Sequence, residues 1–573
     1  MKKSLLLFSP LVVGIMFFEK PATTYNAASI QQLKLSSAVD CAPGLDEPNV
    51  LAANSRFIIL LPGWGNHTYP ISTKADSAQV FFNQGLSMYY SYHSNEAVAS
   101  FKEAALFDPN SAMAYWGQAL AMGPSYNSGY LYKMSEKLEK IIILMNQYAV
   151  KGSSKEKDLI AAMNTRYDIK DLQDKNRDLL NIQYAQKMRL LVEKYPEDMD
   201  IKALYVDAVM LIHPWSFWNN DGSAKSWTAE LVQYAEEILA EDPHHPAALH
   251  YYIHLTEASR KPEVALSSAD SLRKLYPGVA HMVHMSSHEY ERIGYYSKGV
   301  EANEEADRSI MQYDSLASGF LNFNHIPHYY AVEAYCALSG AMYKKGIPKT
   351  MTCRKSMEAS MESFRSQYQY MFPSLAWVRM GKWQDILDDN TTIQKEWIFA
   401  SIIDDFAKGM AYLKTGKMSE AEESLKLMSE KMSEKVLLKP ITPFASSPYD
   451  ISQVPLHILS ANLRFRQGDY KRAIAEINKA VQYEDSLLYT EPKAWILPAR
   501  QYLGAFLLEL KKPSEAEIAY REDLVWNPGN GWSLLGLYQS LKAQGKTKEL
   551  DALKARYLES FSEADEIPLA SAY

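Results

Sequence analysis

The sequence predicts an all-α protein built as a right-handed solenoid of stacked antiparallel helix pairs, and two observations carry this prediction. The motif H-x3-H-x2-E occurs at residues 250–257 and again at residues 284–291, so each of its positions recurs after 34 residues. A period of this length is typical of repeats that consist of two short helices. From Asp76 onward, glycine and proline fall mainly where turns between helices are expected.

The first 75 residues lack the helical pattern and are expected to lie outside the repeats. Residues 1–27 have the features of an export signal, because Lys2 and Lys3 precede an apolar run of signal-peptide length. We therefore expect an exported protein, periplasmic or secreted, with no membrane span apart from this segment; a buried apolar N-terminal segment is the alternative. Residues 28–75 contain Pro, Gly and Asn without helical period, which indicates an extended lead-in to the repeats.

The repeats are predicted in two blocks, residues 76–350 and residues 351–560, followed by a flexible tail at residues 561–573. In each repeat, Gly or Ala is expected where two helices touch, and Pro often where the second helix ends. The clearest copies comprise Gly85, Ala97, Phe101, Ala104 and Pro109; Gly409, Gly416, Ala421 and Leu425; Gly468, Ala473, Ile477 and Ala480; and Gly504, Ala516, Tyr520 and Pro528. These offsets resemble the tetratricopeptide-repeat (TPR) consensus, in which stacked units bury a continuous core.

The chain also resembles a large, uncharacterised bacterial family of TPR proteins over nearly its whole length after the signal. The strings that carry the resemblance are NQGLSMYYSY (83–92), SAMAYWGQALAMGPSYN (111–127) with its AMAYWG core, PEDMDIKALYVDAVM (196–210), HPW (213–215), PAALHYYIH (246–254), HMVHMSSHEY (281–290) with its HMxSH string, and NGWSLLGLYQSLKAQGK (530–546). This chain departs from the family pattern at Ser286, where the family has proline, and at HIPHYY (325–330), where the family has an H-N-x-H-F string. The resemblance implies the TPR fold and the histidine pairs, whereas Glu291 has no usual counterpart in the family and rests on spacing alone.

Histidines are concentrated in one part of the chain. Nine of the 13 lie between residues 244 and 328, whereas an even spread would place about two there, and such crowding is what a metal or catalytic site needs. Helix positions i, i+4 and i+7 share a stripe, so each H-x3-H-x2-E motif puts two imidazoles and a carboxylate on one face. Because the first helices of TPR units line the concave groove, we expect these faces to meet there. The candidate ligands for a divalent transition metal, namely zinc, iron or copper, are His250, His254, His281, His284, His288, His325 and His328.

Glu257 is the candidate catalytic residue. Glu257 and Glu291 can each ligate the metal, orient an imidazole from behind, or take a proton from a metal-bound water. The sequence has no H-E-x-x-H string at these histidines, so the metalloprotease signature is missing. An alternative without metal is that groove histidines hydrogen-bond to tyrosines and carboxylates or bind a peptide.

Four further histidines are expected to take no part in the site. His244 and His245 are flanked by prolines in a predicted turn and are expected to be solvated. His93 and His457 are expected to be isolated surface or packing residues.

Two functions follow from these features. The first is an exported binding protein whose concave groove holds a peptide, protein or small-molecule ligand together with a His-coordinated metal ion. The second is a metal-dependent enzyme, hydrolytic or oxidative, with Glu257 as base. Solenoids of this kind usually bind partners, which favours the first. The net charge of −8 gives no reason to expect nucleic acid, and three cysteines exclude a disulfide framework.

Overall fold

The computed structural model describes residues 56–573, except for Ser128, Leu172 and Asn322. The predicted export signal and the predicted lead-in up to residue 55 lie outside the described residues. Within the described part of the chain, no helix is both long enough and apolar enough to span a bilayer.

Twenty-five α-helices follow one another in the described residues, joined by turns and short loops. The first thirteen are α1 (Asp76–Tyr90), α2 (Ser94–Phe107), α3 (Ala112–Ala121), α4 (Leu138–Tyr148), α5 (Ser154–Met163), α6 (Arg177–Lys194), α7 (Met199–Ile212), α8 (Thr228–Glu241), α9 (Pro246–Thr256), α10 (Leu266–Leu275), α11 (Ala280–Ile293), α12 (Tyr296–Ala317) and α13 (Pro327–Ser339). The remainder are α14 (Tyr343–Met357), α15 (Phe364–Tyr370), α16 (Phe372–Arg379), α17 (Trp383–Asp388), α18 (Ile398–Lys414), α19 (Met418–Lys431), α20 (Pro448–Arg466), α21 (Tyr470–Ser486), α22 (Ala499–Glu509), α23 (Pro513–Trp526), α24 (Gly531–Ala543) and α25 (Leu550–Ser560). Single 3-10 turns occur at Gly129–Leu131, Ala149–Lys151, Pro262–Ala265, Glu358–Ser360 and Lys435–Leu438.

Each helix packs chiefly against its neighbours along the chain, as in the pairs α1–α2, α11–α12, α18–α19 and α20–α21. Short connections force such neighbours to run antiparallel. The repeat glycines allow the close approach that the sequence predicts: a Cβ atom added to Gly85 would lie 2.8 Å from the ring of Phe101. The prediction of an all-α, TPR-like solenoid is therefore confirmed.

The array does not divide at residue 350, because α14 runs through the predicted boundary between the two blocks. Residues 56–75 contain no helix and lie along the first repeats, where Leu61 N–H donates to Gln84 Oε1. Residues 561–573, predicted to be a flexible tail, fold back on the last repeats. There Ser571 is buried, and its hydroxyl donates to the carbonyl of Gln501.

The C-terminal repeats return to the middle of the array and close its groove. Gly294 ends α11 in a left-handed conformation (φ +84°), and its backbone touches that of Gly529, where an added Cβ would lie 1.7 Å from the Ile293 carbonyl oxygen. The indole N–H of Trp532 also donates to the carbonyl of Ser339 at 2.8 Å. Side chains on the inner face of α9, α11 and α13 therefore lie in the protein interior instead of lining an open groove.

Candidate metal centre

Six of the seven predicted ligands meet in this interior. α9 supplies His250 and His254, α11 supplies His281, His284 and His288, and α13 supplies His328. These helices are the first members of consecutive helix pairs, and spacings of three, four and seven residues place the side chains on one face of each helix. None of the six is more than 2% exposed.

The first group consists of His250, His254 and His281, each of which offers a ligand atom within 4.8 Å of the other two. The Nε2 atoms of His250 and His281 are 3.1 Å apart. His250 Nδ1 donates to the carbonyl of Tyr90 at 2.7 Å, and His254 Nδ1 donates to Glu257 Oε1 at 3.0 Å. His254 Nε2 is buried and has no hydrogen-bond partner among the described residues. We call this group the first triad.

The second triad consists of His284, His288 and His328, with ligand atoms again within 4.8 Å of one another. The Nε2 atoms of His284 and His288 are 2.8 Å apart. His284 Nδ1 is 2.6 Å from Asn303 Oδ1, whose amide nitrogen donates to the Gly299 carbonyl and so fixes the oxygen toward the imidazole. Both ring nitrogens of His328 are without a hydrogen-bond partner in the described part of the chain.

The nature of the contact between His284 and His288 depends on which nitrogen of His288 carries the proton. A neutral imidazole carries one N–H, and His284 uses its own to donate from Nδ1 to Asn303. His288 Nδ1 lies 3.3 Å from Glu257 and 3.1 Å from Glu491, which favours the proton on that nitrogen too. With the proton of His288 on Nδ1 the two Nε2 atoms face each other as lone pairs, whereas a protonated Glu491 that donates to Nδ1 would let His288 Nε2 donate to His284. Two nitrogens that bind one ion at 2.0–2.1 Å stand roughly 2.8–3.4 Å apart for bond angles between square and tetrahedral.

Electrostatics favour neutral imidazoles in both triads. Burial, with the neighbouring His288, lowers the pKa of His284 well below 6.5, and burial, with His254, does the same to the pKa of His250. Burial likewise lowers the pKa of His281 and of His328. Neutral imidazole is the form of histidine that binds metal.

Glu257 lies beside both triads and contacts the Nδ1 atom of one histidine in each. Its Oε1 accepts from His254 Nδ1, and its Oε2 lies 3.3 Å from His288 Nδ1. Burial opposes ionisation of Glu257, but the contacts with His254 and His288 outweigh burial and lower its pKa. The backbone carbonyl of Glu257 also accepts from Arg292 at 2.7 Å, which anchors the end of α9. A charged carboxylate held in this way orients two imidazoles at once.

Glu491 completes the surroundings of His288 and was not predicted. It lies in the connection between α21 and α22, and its Oε2 is 3.1 Å from His288 Nδ1. Burial, together with the charge of Glu257, raises the pKa of Glu491 well above 4.5. No spacing rule relates this loop glutamate to histidines some 200 residues earlier, so the sequence contains no signal for it.

Two predicted residues lie apart from the triads. His325 pairs with Asp307 (Nδ1 to Oδ1, 2.5 Å) and contacts the hydroxyl of Tyr330 at 2.9 Å. Glu291 is buried, but both of its carboxylate oxygens are without a hydrogen-bond partner among the described residues. Burial raises the pKa of Glu291 to about 7. Of the two motif glutamates, it is Glu257 that contacts the imidazoles.

A third cluster joins His67, Asp200 and His245, and it corrects the expectation that His245 is solvated. His245 is 1% exposed, and its Nδ1 accepts the backbone N–H of Ala248 as the N-cap of α9. Its proton is therefore on Nε2, which lies 3.6 Å from Asp200 Oδ1. His67 Nε2 and the hydroxyl of Tyr90 contact the same oxygen at 2.9 and 2.8 Å. In this cluster His67 forms a hydrogen-bonded ion pair with Asp200, whereas His245 Nε2 has no hydrogen-bond partner among the described residues.

Of the other histidines set apart by sequence, His93 is a buried packing residue whose Nε2 accepts from the backbone N–H of His281. His457 pairs with Glu476 at 2.7 Å, and His244 is exposed in the turn before α9.

Comparison with known proteins does not indicate a family or a function for this chain. No family model matches the chain, and no curated protein matches it. Among solved structures, it is similar to a human IFIT1 dimer with m7Gppp-AAAA (14% identity over 86% of this chain and 96% of that one, TM-score 0.35). It is also similar to yeast Tom70 (11%, 84% and 93%, TM-score 0.24) and to the APC/C hetero-tetramer Cut9-Hcn1 (11%, 86% and 97%, TM-score 0.25). These scores are low, and the fold assignment rests on the helix pairing within this chain.

Proposed function

We propose that this chain is an exported TPR-like protein that binds two divalent transition-metal ions in its interior, one in each histidine triad. The observation that supports this most strongly is the 2.8 Å approach of His284 Nε2 to His288 Nε2, with His284 Nδ1 beside Asn303 and His288 Nδ1 beside the charged Glu257. Three neutral imidazoles per ion, without thiolate or carboxylate, suit copper or zinc better than iron. Export and membership of the bacterial TPR family stay predictions from the sequence.

The burial of the centre restricts the class of ligand that can reach it. A folded protein or an extended peptide cannot touch imidazoles that are at most 2% exposed. The binding role that we propose is therefore metal storage or delivery, with a small molecule as the second ligand, while any protein partner would dock on the outer helices.

A metal-dependent enzyme is the second candidate, and a cavity beside the centre favours it. Tyr489, Lys493 and Arg292 line that cavity, and Glu491 lies in the same loop as Tyr489 and Lys493. In this reading Glu257 is a positioning residue and not the base, because both of its oxygens are turned toward imidazole nitrogens. The enzyme hypothesis predicts that the metal-loaded protein converts a ligand bound in the cavity. It also predicts that removal of the metal stops this conversion.

Elemental analysis tests the proposal. Full-length protein loaded with copper or zinc and freed of loose metal should carry about two ions per chain. The double change His254→Ala with His288→Ala removes one ligand from each triad and should leave less than about one fifth of that metal. His325→Ala is the matched control, since this histidine was also predicted as a ligand but lies outside both triads. Equal metal in the double variant and in the control would overturn the proposal.

A further inference from the structure

A cavity of about 520 Å³ lies between the middle and the C-terminal repeats, against the segment that carries Glu491. One wall comes from the loop between α7 and α8 and from the ends of α9 and α11, and the other from the α21–α22 connection and α23. The hydrogen bond from Asn220 Nδ2 to the Asp485 carbonyl joins the two walls in an exposed position, next to Leu488, which is 45% exposed. The cavity is of the size that holds a drug-sized ligand and borders the protein surface.

The cavity has an excess of positive charge, although the chain as a whole carries a net charge of −8. Among its lining residues, four basic side chains form no ion pair with a carboxylate of the described residues: Lys225, Arg260, Arg292 and Lys493. Arg500 is neutralised by a two-pronged pair with Asp485 at 2.5 and 2.8 Å. Of the remaining lining groups, burial raises the pKa of Glu484 to about 8 and lowers the pKa of Lys493 to about 7, and Asp523 is a buried carboxylate, so the excess positive charge is carried by Lys225, Arg260 and Arg292.

The two arginines among these residues are held in place by contacts that do not compensate their positive charge. Arg292 donates to three backbone carbonyls, those of Glu257, Ser259 and Trp526. Arg260 donates to the carbonyl of Asn220, and its guanidinium lies 3.4 Å from the ring centroid of Trp526. A carbonyl accepts a hydrogen bond but supplies no negative charge, so both guanidinium groups favour an anion nearby.

The rest of the lining is aromatic. Six rings face the cavity: Trp215, Trp218, Trp495, Trp526, Phe444 and Tyr489. The hydroxyl of Tyr489 is buried without a hydrogen-bond partner among the described residues. Flat apolar walls of this kind bind a planar ring by stacking, and the buried hydroxyl offers one polar contact.

We propose that this cavity binds a small planar organic anion, with its carboxylate between Arg260, Arg292 and Lys493 and its ring against the tryptophans. The inference deepens the proposed function, since it names the ligand class beside the metal centre, but the charges and walls that support it do not depend on metal. Arg292 follows His288 by one turn of α11, so the bound anion would lie next to the second triad.

Tryptophan fluorescence tests this with two matched probes, naphthalene-2-carboxylate and the uncharged naphthalene-2-carboxamide, on metal-loaded full-length protein. The carboxylate should bind saturably and roughly tenfold or more tighter than the amide, because a hydrogen bond to a charged group is stronger than one to a neutral group. Arg260→Met and Lys493→Met should each weaken carboxylate binding roughly tenfold and leave amide binding within about threefold. Arg260→Lys, which keeps the charge, should retain most of the affinity.

Controls separate this inference from the metal proposal. Lys426→Met, at an exposed position of α19, should change neither probe. His254→Ala with His288→Ala should lose metal and still bind the carboxylate within about threefold of wild type. Equal affinity for acid and amide, or unchanged carboxylate binding in both methionine variants, would overturn the inference whatever the metal content.

Discussion

Two clusters of buried histidines lie within one stack of helices, and they differ in what their second nitrogens contact. In the His67–Asp200–His245 cluster, His67 Nε2 is hydrogen-bonded to Asp200 and His245 Nδ1 accepts a backbone N–H. In the two triads, Nδ1 of His250 and of His284 donates to an oxygen, and Nε2 is left as a lone pair. Residue type alone would make both clusters metal sites. In our proposal, the hydrogen-bond partner of the other ring nitrogen distinguishes a metal-binding cluster from one that binds no metal.

Acid should separate the two clusters most strongly in metal-free protein. Burial lowers the pKa of His250, His281, His284 and His328 well below 6.5, so the folded state binds fewer protons than the unfolded state at lower pH. Each of these imidazoles that stays neutral should therefore lower the free energy of unfolding by about 1.4 kcal/mol per pH unit below 6.5. Urea unfolding at pH 7.5, 6.5 and 5.5, with excess chelator, measures this.

His67 has the opposite sign and offsets part of that loss, as do Glu291, Glu484 and Glu491, whose pKa values burial raises. Burial works against the charged form of His67, but Asp200 outweighs burial and raises its pKa, so its stabilisation is complete below 6.5 and is lost as pH rises through the raised value. Bound metal should flatten the acid loss until the ligands release it. Triad imidazoles that take up protons between pH 7.5 and 5.5 in folded, metal-free protein, followed by NMR titration of their ring protons, would contradict the neutral, buried triads.

Asp200→Asn should be the next largest effect and should act on stability alone. The change removes the charge that three neighbours contact, and breaking a buried pair typically costs about 3–5 kcal/mol. Urea unfolding at pH 7 should show this loss, while elemental analysis should find wild-type metal content. Loss of metal in this variant would mean that the ion-pair cluster is itself part of the metal centre.

Glu257→Gln should weaken metal binding by about 10–100-fold, the usual effect of changing a residue that orients metal ligands. Chelator competition gives the metal Kd. Glu291→Gln is the matched control, since it occupies the same motif position but contacts no imidazole of the triads among the described residues, and it should change the Kd by less than about threefold. Similar losses of metal affinity in the two variants would contradict the role of Glu257 in orienting the triad imidazoles.

The sequence predicts the helix pairs and the meeting of six of the seven candidate histidines, because both follow from local period. His325 does not lie with them because Pro327 begins α13, so the spacing of three to His328 is not helical spacing. Glu257 contacts triad imidazoles and Glu291 does not, because the two glutamates occupy different positions relative to their helices. Glu257 caps the C-terminus of α9, where the chain leaves the helix, whereas Glu291 lies inside α11.

The closure of the array was not predictable from these patterns. It depends on contacts such as Gly294 with Gly529 and His288 with Glu491, which join residues some 200 apart and leave no periodic signal. The sequence therefore predicts which histidines share a face, but not that the C-terminal repeats bury that face or that a charged cavity forms beside it.

The most direct test of the central claim is an anomalous-difference map from crystals of metal-loaded protein, measured at the absorption edge of the bound metal. We predict two peaks, one among His250, His254 and His281 and one among His284, His288 and His328. A map with no peak in either triad, or with its peak at His67, Asp200 and His245, would contradict the account.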